Sequence, residues 1–96
     1  MEKELEKLIR IKIAVSLRRL LENSKKFTQN DEDIAQSYNQ IALISGLRKG
    51  TVSDTFNAKS TPSSVTLILI VESMGFDLRV FSKYYCSITD SDIKKF

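Results

Sequence analysis

Between Tyr38 and Asn57 (YNQIALISGLRKGTVSDTFN) two runs with helical apolar spacing are separated only by the residues around Gly46, so two helices must meet at a sharp turn. Such a crossing needs a small residue where the backbones approach, and Ala42 supplies it. It needs a residue free to take a positive φ in the turn, and Gly46 supplies it. Apolar residues must lock the pair onto a core, and Ile41, Leu47 and Val52 stand at the right offsets. The first helix is expected to end near Ser45, with Gly46 as a left-handed cap. The second fits Lys49 to Asn57. On a helical wheel Val52 and Phe56 fall together with Thr55 beside them, while Gly50, Ser53, Asp54 and Asn57 fall on the opposite side.

The rest of the chain reads as helices around this pair. From Glu2 to about Asn23 there is no Gly or Pro. Leu5, Leu8, Ile9, Ile13, Leu17, Leu20 and Leu21 recur at helical spacing, and Ile11, Ala14 and Val15 widen the stripe. Ser24 to Asn30 is polar and reads as a loop. Asp31 or Asp33 is a candidate cap for the helix carrying Ile34, Tyr38, Ile41 and Ala42. A fourth helix is expected to start with Thr61 as N-cap and Pro62 at its first position, run through Val65–Val71, and stop at Met74–Gly75. Phe76–Asp77–Leu78–Arg79–Val80 alternates and predicts a strand. Asp90 or Ser91 is a candidate cap for a final turn ending at Phe96.

Composition excludes several functions. The 96 residues make one domain, 1–96, with a core over 5–75 and an appendage over 76–96. There is no His, which removes the commonest general base and metal ligand. The single Cys86 excludes an internal disulfide framework and a Cys-rich zinc site, and no His partner is present to activate its thiol. Ser and Thr lack a His or a Ser-x-x-Lys arrangement, so no nucleophile is marked. The protein is therefore not expected to be an enzyme, and no cofactor or metal is expected. No apolar run approaches the ~20 residues of a membrane span, and the N-terminus alternates Glu and Lys without an apolar signal core. A cytoplasmic protein is expected. With 15 Lys+Arg against 12 Asp+Glu the net charge is +3, which suits a phosphate-bearing partner.

Against this background the chain resembles the lambda-repressor and Cro type of helix-turn-helix domain. The resemblance is carried by Ile41–Ala42, Gly46–Leu47, Gly50–Thr51–Val52–Ser53 and Phe56–Asn57, then by Pro62–Ser63, Thr66–Leu67, Ile70 and Met74–Gly75. It covers Tyr38 to Gly75 well and the first helix loosely. The chain departs from the family in places. Thr28–Gln29 resembles the family's first turn, but Ala42 comes too late in the chain for it. Ile34–Ala35 looks like the family's second-helix signature, yet Asn39 stands where its Gly would be. Thr55 replaces an apolar residue, and Arg48 stands where a Ser or Thr often caps the recognition helix.

The resemblance implies an all-α fold of four to five helices with a short C-terminal β-like strand. It implies sequence-specific binding to double-stranded DNA by a small transcriptional regulator, expected to be a repressor. Lys49, Gly50 and Asp54 match base-approaching positions, with Thr51 and Ser53 beside them. Tyr38, Arg48, Asn57, Lys59 and Ser60 match or flank phosphate-contacting positions. Ala42, Gly46, Leu47 and Val52 shape the turn. A homodimer is expected, because such proteins read two half-sites about one helical turn apart. No small-molecule effector is expected.

Blander readings stand beside these. Asp54 is also an ordinary solvated residue, and Arg48 and Lys49 ordinary surface charge. Asp31–Glu32–Asp33 resembles a metal cluster but reads better as a helix start. Arg18–Arg19 and Lys25–Lys26 read as solvated charge that adds long-range attraction to phosphate. The segment 76–81 needs a pairing partner, either near Tyr84 to Ile88 or in another subunit. Two alternatives remain: an antitoxin that binds a toxin through its C-terminal strand and represses its own operon, and a helical protein–protein adaptor.

Overall fold

No Gly or Pro interrupts Glu2 to Phe27, and the segment forms one helix of 26 residues, α1. In the computed structural model, which describes residues 2–27 and 36–96, five shorter helices follow. They are α2 (Tyr38–Ser45), α3 (Lys49–Phe56), α4 (Ser64–Ser73), α5 (Leu78–Cys86) and α6 (Asp90–Lys94). At 1.5 Å per residue α1 is about 39 Å long, close to the molecule's longest dimension of 42 Å. It is the spine. α3, α5 and α6 pack on α1, α2 packs on α3 and α4, and α4 also meets α5.

The core draws on the first five helices. Leu17, Leu20 and Leu21 of α1 meet Ile41 of α2, Val52 and Phe56 of α3, Ile70 and Val71 of α4 with the adjoining Met74, and Phe81 of α5. Full burial of a side chain such as Phe56 or Leu17 contributes about 1.5–3 kcal/mol each. Three buried hydroxyls are satisfied within their own helices. Ser16 donates to Lys12 O at 2.7 Å, Thr55 to Thr51 O at 2.8 Å and Ser73 to Ile70 O at 2.7 Å. The expected apolar stripe of α1 is only partly used, because Leu5, Leu8 and Ile9 are exposed. Among the described residues α1 outruns the shorter helices that cover it, so the apolar residues of its first turns are left exposed.

The fold is all-helical, and among the described residues there is no strand. The expected strand over 76–81 is corrected to the start of α5. Asp77 takes an extended conformation, and its carboxylate accepts from Val80 N at 3.0 Å, a helix N-cap. Phe81, Tyr84 and Tyr85 then place a helical stripe on α1 and the core. The pairing partners sought for that strand, within the chain or across subunits, fall with it.

Two caps are also corrected. Ser63, not Thr61, caps α4 and accepts from Thr66 N at 3.1 Å. Pro62 therefore lies before the helix. Thr61 Oγ1 instead accepts from Arg10 Nη1 at 3.3 Å. The last helix is capped by Thr89, whose hydroxyl accepts from Asp92 N at 3.2 Å while Asp92 accepts from Thr89 N at 2.9 Å. The candidate caps Asp31 and Asp33 lie outside the described residues.

Candidate nucleic-acid interface

The turn between α2 and α3 forms as its residues dictate. Ser37 starts α2, accepting from Gln40 N at 3.2 Å. Gly46 ends it at φ 78°, with its N–H donating to Ala42 O at 3.0 Å. Ser45 Oγ accepts from Leu47 N at 3.2 Å, which holds the turn from inside. Ala42 and Leu47 pack against the core, and Val52 is buried within it. Arg48 is extended at the N-cap of α3 and its carbonyl accepts from Val52 N at 3.1 Å. Its side chain makes no capping bond.

α3 has two sharply different faces. Val52, Thr55 and Phe56 are buried. Lys49, Gly50 and Asp54 are exposed, and Thr51 and Ser53 are half-buried beside them. The five residues expected to face bases therefore share the outer side and flanks of one short helix. A methyl group at Gly50 would meet no protein atom within 4 Å. Among the described residues, packing around this position does not itself require a glycine.

The flanking set is mixed. Arg48 and Lys59 are exposed, and Ser60 is half-buried. Among the described residues Arg48, Lys49 and Lys59 make no side-chain hydrogen bond or ion pair, so three cations are left facing solvent. Tyr38 lies in the first turn of α2 with its ring packed on Phe56, centroids 4.6 Å apart. Asn57 is engaged by the fold. Its Nδ2 donates to Ser53 O at 2.8 Å, and its Oδ1 accepts from Arg18 Nη2 at 2.8 Å.

Reading Arg18 and Arg19 as solvated charge missed their part in this region. Arg18 Nε donates to Phe56 O at 2.9 Å, at the carboxyl end of α3, where a cation is favoured. Its guanidinium also lies 4.4 Å from the ring centroid of Phe96. Arg19 pairs with Asp92 at 2.9 Å. Hydrogen bonds from the backbone N–H and hydroxyl of Thr89, with Arg19 alongside, hold the Asp92 carboxyl below the usual carboxylate range. The only sequence signal was position: Arg18 and Arg19 lie one and two residues beyond Leu17, on the flanks of the buried stripe.

Comparison with protein-family models, with curated proteins and with solved structures finds no match to this chain.

Proposed function

We propose that the protein is a small, sequence-specific reader of double-stranded DNA with a lambda-repressor-like arrangement, acting as a transcriptional repressor. The observation that carries this reading is the outer face of α3. Lys49, Gly50 and Asp54 stand exposed on a helix whose other face is locked into the core, and Arg48 and Lys59 flank it without side-chain partners among the described residues. In a major groove Lys49 donates to guanine O6 and N7, and Asp54 accepts from a cytosine amino group. Gly50 lets the backbone approach. Arg48, Lys59, Ser60 and Tyr38 hold phosphates and set register. The test is selection of bound duplexes from a random pool. Enrichment of one sequence, lost in Lys49→Ala, supports the reading; recovery of random sequence only rejects it.

The proposed assembly is a homodimer, and the exposed apolar residues of α2 and α4 suit it. Leu43, Val65 and Ile44 are 82%, 65% and 47% exposed. Ile44 and Leu69 line one shallow groove with Ser45, Ser73 and Glu72. Exposed apolar surface of this kind marks interaction sites. Across α2 and α4 the only charged residue is Glu72. A two-fold interface sets a patch against itself, so a densely charged patch would repel its copy, whereas these two helices bring a single carboxylate, Glu72.

The exposed apolar residues of α2 and α4 also favour a second reading, the helical adaptor. Salt separates the two, because DNA binding weakens steeply as salt displaces it from phosphate. The antitoxin reading remains a proposal, without the strand on which its partner surface was expected.

A further inference from the structure

We propose that Arg18 is a positioning residue for α3 and that α6 controls it, so that docking or release of the C-terminal helix tunes how the protein reads DNA. This inference rests on the DNA-reading function proposed above.

A helix leaves its last carbonyls without helical partners. Here Lys59 N donates to Asp54 O at 2.9 Å and Ala58 N donates to Thr55 O at 3.4 Å. That pairing forces the intervening residue into the left-handed region, and Ala58 sits there at φ 58°. A β-carbon is disfavoured in this conformation, so something else must hold the turn. Arg18 does so, with one arm on Phe56 O at 2.9 Å and another on Asn57 Oδ1 at 2.8 Å. The turn leads directly into Lys59 and Ser60, the candidate phosphate contacts.

Arg18 is held in its turn. The ring of Phe96 lies against its guanidinium at 4.4 Å. Phe96 N donates to Ile93 O at 3.2 Å, which ties the ring to the last turn of α6. α6 is fixed by its Thr89–Asp92 capping box and by the Arg19–Asp92 pair at 2.9 Å. A chain of named contacts thus runs from α6 through Phe96 and Arg18 to the end of the recognition helix. Beside it, between α1, α5 and α6, lies an open cavity of about 570 Å³ lined by Val15, Arg19, Glu22, Tyr84 and Phe96 among others.

The test uses the full chain and two variants at an exposed position, Phe96→Ala and Phe96→Tyr. Amide hydrogen exchange in the free protein reads the coupling without DNA. In Phe96→Ala the amides of Ala58 and Lys59 should exchange about two- to fivefold faster, the size of one exposed cation–π contact. Those of Ile70 and Val71 should not change. Phe96→Tyr keeps the ring and should restore wild-type exchange. Affinity for a duplex selected by the wild-type protein from a random pool should fall by a similar factor in Phe96→Ala and recover in Phe96→Tyr. Unchanged exchange at Ala58 and Lys59 in Phe96→Ala overturns the inference. If the wild-type protein selects no duplex, DNA reading fails on its own and the exchange data still report whether α6 holds α3.

Discussion

The N–H of Lys59 donates to the carbonyl of Asp54 at 2.9 Å, closing α3 around an alanine at φ 58°. Glycine is the usual residue at this position, because the left-handed region costs a β-carbon about 1–2 kcal/mol. Glycine's extra freedom in the unfolded chain returns roughly 0.4–1 kcal/mol of that. Ala58→Gly is therefore expected to stabilise the protein by about 0.5–1 kcal/mol, measured by urea denaturation. A destabilised variant would show that the Ala58 turn carries no strain.

Gly46 and Gly50 should respond oppositely to the same substitution. A methyl group finds open space at both. At Gly46 the φ of 78° makes Gly46→Ala cost roughly 1–2 kcal/mol. At Gly50 the backbone is helical, so Gly50→Ala should stabilise by about 0.5 kcal/mol while weakening DNA binding. Paired denaturation and binding curves check both signs.

Much of this was legible beforehand, and the failures have physical causes. Gly46 announced the end of α2 because it is the residue best suited to a left-handed cap. Val52 and Phe56 announced the buried face of α3 by spacing alone. The α4 cap was misplaced because Thr61 and Ser63 are both plausible caps, and Arg10, far away in sequence, engages Thr61. The strand over 76–81 was misread because five alternating residues do not separate strand from helix when Asp77 can cap. The helical spacing appears only with Phe81, Tyr84 and Tyr85. Leu5, Leu8 and Ile9 share the period of α1 but lie on its exposed first turns. The wheel sets Gly50 and Asp54 on the exposed side of α3, but Ser53 and Asn57, which it places with them, are half-buried, and Arg18, distant in sequence, claims the side-chain oxygen of Asn57.

The Asp92 carboxyl is held below its ordinary pKa by Thr89 and Arg19. A carboxyl with a lowered folded pKa adds stability above its unfolded pKa and loses it as pH falls through the folded one. The anchoring of α6 should thus be intact near neutral pH and weaken progressively below about pH 4. Asp92→Asn should remove this acid dependence. Chemical shifts of Thr89, Ile93 and Phe96 across an acid titration measure it. A flat titration in the wild type would show that Asp92 does not anchor α6.

Leu43→Glu and Val65→Glu place carboxylates among the exposed apolar residues of α2 and α4, at positions that are mostly exposed, so folding should survive. Sedimentation should show a dimer for the wild type and a monomer for either variant. A wild-type monomer at high concentration contradicts self-association. A dimer that survives both changes places the interface elsewhere.

The central claim is that the outer face of α3 reads DNA. It is tested most directly by the salt dependence of binding to the selected duplex, between roughly 50 and 200 mM salt. Preference over random duplex and a steep loss of affinity with salt are expected. Lys59→Ala should reduce the slope by about one and weaken all sequences alike. Lys49→Ala should remove about 1–3 kcal/mol of discrimination at one base position. Binding that is absent at low salt, or equally tight to every duplex and unchanged by Lys49→Ala, contradicts it.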